Sequence, residues 1–236
     1  MIDRKLVRLA RAVALGLALA TPIPGASVFE VPVLGVSALG VSEAAAARPR
    51  AADITGEERA EIQRIERYLN GMTTMQARFL QASSNGQYAE GSLYISRPGK
   101  LRIEYDPPVP VLIVTDGTFL IYYDKQLEQV SHIPLGSTPA SILTRPDIRL
   151  TGGDLILTGF ESKGGALRVT VVQASDPYSG QVTLVFDRDP LALRKWTVVD
   201  AQGIETDVSL IAARVDIPLD PDLFRFRDPR IFKDGF

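Results

Sequence analysis

The sequence predicts a mainly β (α+β) fold, one strongly curved antiparallel sheet of about ten or eleven strands wrapped around two helical segments. Turn chemistry is the first reason. Asn85-Gly86, Asp116-Gly117, Gly164-Gly165 and Gln202-Gly203 separate short apolar or alternating runs, the pattern of hairpins. The second is that helical spacing occurs only after Thr55 and after Pro139. The third is that Val109–Val114 and Phe119–Tyr122 are apolar on both faces. A sheet with one wet face needs no such strands, whereas a sheet folded over helices does.

Thr55 and Glu58 form the capping box Thr-x-x-Glu that opens the first helix. Ile62, Ile65, Leu69 and Met72 follow at spacings of three and four and share one face; Glu57, Glu61, Arg64 and Arg67 fill much of the remainder. Beyond Gly71 the period becomes two. Met75, Ala77 and Phe79 alternate along one strand, Ala89 to Ile95 along the next, and Leu101, Ile103 and Tyr105 along a third. Asp106-Pro107-Pro108 stops this run. Strands are expected over 109–115, 118–123 and 127–133, completing a meander. Ser137-Thr138-Pro139 reads as a helix start, with Ala140, Ile142 and Leu143 forming a brief apolar helix that ends near Arg145-Pro146. Strands resume at 155–160, 167–172, 181–186, 193–199 and 206–215, and a proline-capped extended tail follows from Pro218.

Residues 1–47 read as an export segment, leaving 48–236 as one domain. Arg4, Lys5, Arg8 and Arg11 precede an apolar stretch, Ala12 to Ala20, that is too short to span a bilayer. Small-x-small cleavage sites fall after Ala20 and after Ala47, and the later one fits a long signal peptide. The expected destination is therefore outside the cytoplasm. Hydrophobic residues make up 45% of the 236 residues and charged ones 23%, a globular composition, and the formal net charge is -2. No basic run with interleaved aromatics is present, so no nucleic-acid partner is expected.

The chain contains no cysteine, which excludes disulfides, thiolate chemistry and a lipid-modified cysteine anchor. One histidine, His132, excludes a two-histidine metal site within the chain. His132 lies in a strand and reads as structural or exposed. Glu90, Glu104 and Glu128 are the carboxylates that a glycosidase-type pair would draw on, and acidic residues on strand faces are ordinarily solvated. No Gly-x-Ser-x-Gly elbow, phosphate loop or His-Glu-x-x-His occurs. No enzyme activity, metal or cofactor is expected. Arg97 stands out because it continues the apolar phase of Leu93 and Ile95. An inward guanidinium needs acceptors, which backbone carbonyls at a helix end would provide; the alternative is a side chain past the strand end, in water.

Arg97-Pro98-Gly99-Lys100-Leu101-Arg102-Ile103-Glu104-Tyr105, then Val114-Thr115-Asp116-Gly117, Tyr122-Tyr123-Asp124, Leu127-Glu128-Gln129-Val130, Ser137-Thr138-Pro139 and the closing Pro221-Asp222-Leu223-Phe224-Arg225-Phe226, taken in that order, resemble the periplasmic outer-membrane lipoprotein carrier family of the LolA type. The resemblance covers roughly residues 56–228. It implies an unclosed antiparallel half-barrel with helices over its concave apolar face. It also implies a monomeric carrier that takes lipoproteins by their acyl chains from an inner-membrane ABC transporter to an outer-membrane receptor. The family's gating arginine falls on Arg97, which would bond the lid helices in the closed state. Leu101 and Ile103 depart from the family's usual aromatics there, and 149–165 matches poorly.

The expected acyl-chain surface comprises Leu93, Ile95, Leu101, Ile103, Tyr105, Leu112 and Val114 on strands, with Ile62, Ile65, Leu69 and Ile142 closing from the helices. The alternative is a lipid-binding or lipid-sensing periplasmic module on the same fold that holds a ligand without delivering it.

Overall fold

A computed structural model describes residues 49–231. The export segment and both cleavage sites considered above lie outside the described residues. The first helix, α1 (Gly56–Gly71), opens as the capping box dictates: the Thr55 side chain accepts from the Glu58 N–H, and Glu58 accepts from the Thr55 N–H at 2.8 Å. Its periodic face is fully buried at Ile62, Ile65 and Leu69. At about 1.5–3 kcal/mol for each such side chain, this burial rather than intrinsic propensity holds the helix in place.

Eleven strands follow: β1 (Thr74–Ser83), β2 (Tyr88–Ser96), β3 (Lys100–Tyr105), β4 (Val111–Asp116), β5 (Phe119–Asp124), β6 (Gln129–Pro134), β7 (Leu155–Lys163), β8 (Ala166–Gln173), β9 (Gly180–Asp187), β10 (Ala192–Asp200) and β11 (Glu205–Val215). They form one antiparallel sheet in the order β6-β5-β4-β3-β2-β1-β11-β10-β9-β8-β7. Two meanders are thus joined by the pairing of β1 with β11, and the sheet does not close, because β6 and β7 remain edges. The connection from β6 to β7 carries a 3₁₀ turn, Leu135–Ser137, and the short helix α2 (Ala140–Thr144). Before α1, the Ala52 N–H donates to the Leu157 carbonyl on the β7 edge at 2.8 Å.

The hairpins obey their turn chemistry. Gly86 and Gly117 both take positive φ, and Asp116 accepts from the Thr118 and Phe119 N–H groups at 2.8 Å each. Gly91 on β2 has a packing reason: a Cβ there would lie 2.6 Å from the Phe79 ring, which instead stacks edge-on against Tyr105. α1, α2 and the inner faces of strands from both meanders share one apolar cluster. The strand ends differ from the expected ones by up to three residues, with β4 beginning at Val111, β6 at Gln129 and β7 running on to Lys163.

Candidate functional site: the inner sheet face and its helical lid

Expected residues from four elements meet on the inner face. Leu93 and Ile95 of β2, Leu101, Ile103 and Tyr105 of β3, Ile62, Ile65 and Leu69 of α1, and Ile142 of α2 lie in the same buried cluster. Leu112 and Val114 do not, and the expectation for them is corrected. The β3–β4 register sets Ile103 opposite Ile113, Glu104 opposite Leu112 and Arg102 opposite Val114. Leu112 and Val114 therefore share the outer face with two charged residues, and the inward side chains of β4 are Val111 and Ile113. The outer face is apolar here for a different reason. The C-terminal 3₁₀ turn, Pro221–Phe224, lies against β3 and β4, with Phe224 buried. Beyond it, Phe226 meets Tyr123 at a ring separation of 5.6 Å.

Arg97, just past β2, points under the lid, and its guanidinium is spent on backbone carbonyls. Nε donates to Arg145 O at 3.0 Å; one terminal nitrogen donates to Leu69 O and to Met72 O at 3.2 Å. The other donates to Arg145 O at 2.7 Å, Pro146 O at 3.3 Å and Asn70 Oδ1 at 3.1 Å. Most of these acceptors are part-buried carbonyls at the C-terminal ends of α1 and α2, where the last carbonyls lack helical partners and the dipole favours a cation. Burial lowers the Arg97 pKa, opposed by the charge of Asp147; the group stays protonated. The adjoining turn adds a bond, Gly99 N–H to Thr144 O at 2.7 Å.

Two polar partners were not singled out from the sequence. Asn70 accepts from the Ile148 N–H at 2.8 Å and donates to the Ile148 carbonyl at 2.9 Å, and Glu66 accepts from the Leu150 N–H at 2.6 Å. They stitch α1 to the segment after α2, where Ile148 and Leu150 are fully buried. The sequence signal was faint, since a single Asn and a single Glu on the polar side of a helix ordinarily face water.

Further along α1, Glu61 pairs with Arg64 at 3.1 Å and with Arg188 at 2.8 Å, and Arg64 reaches Asp189 at 3.1 Å. With the lid down the interior is nearly full. Beside Phe79, Leu93, Ile103, Tyr105 and Trp196 only about 10 Å³ is open.

His132 is exposed on an edge strand; Glu104 sits on the outer face with Arg102 at 2.9 Å and Lys125 at 3.3 Å. Burial alone would raise the Glu104 pKa, but the bond from Arg102 and the nearby Lys125 hold it below its ordinary value. Among the described residues no cluster of His, Cys, Asp or Glu is placed to hold a metal, and no helix is long and apolar enough to cross a membrane.

Residues 70–227 match the family model of the outer membrane lipoprotein carrier protein LolA. The chain belongs to the LolA family. Among its relatives, an outer-membrane lipoprotein carrier protein of Methylococcus capsulatus is 31% identical over 185 residues, covering 72% of this chain and 86% of that one. An uncharacterized protein of Rickettsia prowazekii is 25% identical over 168 residues, covering 71% and 77%. A solved LolA superfamily protein of Nitrosomonas europaea aligns with a TM-score of 0.43 at 11% identity, over 70% of this chain and 97% of that chain.

Proposed function

We propose that this LolA-family protein is a periplasmic, non-enzymatic carrier that holds the acyl chains of lipoproteins between the inner sheet face and the lid, conveying them from the inner to the outer membrane. The observation that carries this reading is the Arg97 set: a charged side chain at the end of an apolar strand face, bonded to the C-terminal ends of both lid helices. A core built only for stability has no need of such a group, because a packed apolar residue there would avoid its desolvation cost.

The magnitudes favour an exchange of lid for ligand. Lifting Ile62, Ile65 and Leu69 out of contact costs roughly 5–9 kcal/mol in lost burial. Acyl chains recover about 0.8 kcal/mol per methylene, so roughly six to eleven methylenes offset the lid. Breaking the Arg97 bonds adds to the cost of opening. It thereby lowers net affinity by the population of the closed state, which lets cargo leave again. The partners this reading requires are an inner-membrane lipoprotein-releasing ABC transporter and an outer-membrane acceptor.

The test is release of lipoproteins from spheroplasts by the protein purified from periplasm. Soluble one-to-one complexes are expected, and Arg97→Leu is expected to load normally but to pass cargo on poorly. A wild-type protein that leaves every lipoprotein on the membrane, while carrying bound phospholipid, overturns the carrier reading in favour of a lipid-binding module.

A further inference from the structure

α2 is bonded by Arg97 at its C-terminal end and carries an unpaired hydroxyl one turn earlier. It is five residues long, too short to persist on helical propensity, and no side chain caps its N-terminus. All five side chains are nevertheless buried, from 1% exposed at Thr144 to 6% at Ser141. Three hydroxyls are enclosed in and just before this helix, and they differ. Thr138 donates to the Leu135 carbonyl at 2.8 Å, and Thr144 donates to the Ala140 carbonyl at 3.0 Å. The Ser141 hydroxyl has no hydrogen-bond partner among the described residues. A hydroxyl taken out of water without a partner costs free energy, and folded proteins seldom leave one so.

Ser141 and Thr144 border an open groove of about 560 Å³, whose opposite wall includes Gly99 of the β2–β3 turn and Gly117 and Thr118 of the β4–β5 turn. Ile142 and Leu143 belong to the apolar cluster. A small outward turn of α2 would bring the Ser141 hydroxyl into the groove and hydrate it, whereas the closed position keeps it dry.

We propose that Ser141 biases the lid towards opening: its unpaired hydroxyl raises the free energy of the closed state and so sets how readily α2 lifts for cargo. The inference rests on the carrier reading and names the residue that opposes Arg97 within it. Arg97 holds α2 through the Arg145 carbonyl, and the Gly99 N–H holds the Thr144 carbonyl at 2.7 Å. Those bonds lower the closed state, and Ser141 raises it. The hydroxyl gains a partner once α2 leaves its seat, in water or in the ester or amide carbonyl of an entering chain.

Hydrogen exchange of the α2 amides in the empty protein, compared between wild type, Ser141→Ala and Ser141→Cys, tests this. Alanine removes the hydroxyl but is also the better helix former. Cysteine is no better a helix former than serine, and its thiol is a weak hydrogen-bonding group that tolerates burial. Both variants should slow exchange about tenfold at Ile142 and Arg145, whose N–H groups bond the Pro139 and Ser141 carbonyls. Both should weaken equilibrium binding of a pyrene-labelled acyl amide by the same factor, because apparent affinity scales with the open fraction.

Unchanged exchange in both variants overturns the proposal. Slower exchange in Ser141→Ala alone assigns the effect to helix propensity and also overturns it. Slower exchange in both with unaltered acyl affinity overturns it too, since the bias would then act on a motion that cargo does not use. A wild-type protein that takes up no acyl amide removes the carrier reading and the role of Ser141 in it. The two failures are told apart by exchange, which is read without cargo.

Discussion

The C-terminal end and the middle of α1 are fastened by different physics. Its C-terminal end is tied through half-buried bonds: Arg97 to Leu69 and Met72, Asn70 to both backbone groups of Ile148, and Glu66 to Leu150. Its middle meets the β9–β10 turn through exposed ion pairs of Glu61, Arg64, Arg188 and Asp189. Bonds shielded from water lose heavily when one partner is removed, whereas exposed ion pairs contribute little and are screened by salt. The C-terminal end is also where α1 runs directly into β1. The difference teaches that the C-terminal end of α1 is held by shielded bonds around Arg97, and that its middle rests mainly on the apolar packing of Ile62 and Ile65.

Substitutions at the two ends should separate these contributions. Arg97→Leu is expected to have the largest effect, destabilising the closed empty protein by about 3 kcal/mol, since several helix-terminal carbonyls lose their donor. Hydrogen exchange should accelerate first in α2 and the last turn of α1. Equal acceleration along the whole of α1 would break the comparison. Asn70→Ala should cost about 1–3 kcal/mol by leaving the Ile148 groups unpaired, read by urea unfolding. Glu61→Gln should cost at most about 0.5 kcal/mol, and that cost should vanish in high salt. A salt-independent loss as large as that of Asn70→Ala would place the main fastening in the wrong region.

The smallest effect concerns Asp216 and pH. Asp216 accepts from the Thr73 N–H at 2.9 Å and from the Thr73 hydroxyl at 3.0 Å, and these bonds hold its carboxyl below the ordinary range. Its folded-state pKa being depressed, its contribution is present above the ordinary value, near 3.8, and disappears as pH falls through the lower folded value. Asp216→Asn should flatten stability against pH in that acid window, leaving neutral pH nearly unchanged. Because Asp216 takes a φ of +55°, Asn is the substitution that keeps the backbone comfortable. An unaltered acid limb in this variant would show that the Thr73 bonds of Asp216 carry no stability.

Much of the fold was legible in the residues because local chemistry was unambiguous. Thr55 and Glu58 can satisfy free N–H groups only at a helix start, and Asn85-Gly86 and Asp116-Gly117 turn tightly with little strain. The alternation of Leu93, Ile95, Leu101, Ile103 and Tyr105 points one way, because their strand neighbours are polar or small. Legibility failed at β4, where Val111, Leu112, Ile113 and Val114 are all apolar and period two carries no phase. The register with β3 and the tail carrying Phe224 decided that Leu112 and Val114 face outward. Asn70 and Glu66 were equally silent, since their partners are backbone groups some 80 residues away that no spacing rule connects.

By itself the sequence determined the mainly antiparallel architecture, the amphipathic helix after Thr55 and the lack of residues for thiol, disulfide or two-histidine metal chemistry. These follow from local backbone preference and composition, which act over a few residues. Only the tertiary structure decided which face of β4 joins the apolar cluster and which carbonyls Arg97 holds. Each of these depends on bringing distant segments together, through long-range pairing and burial whose partners the chain order does not reveal.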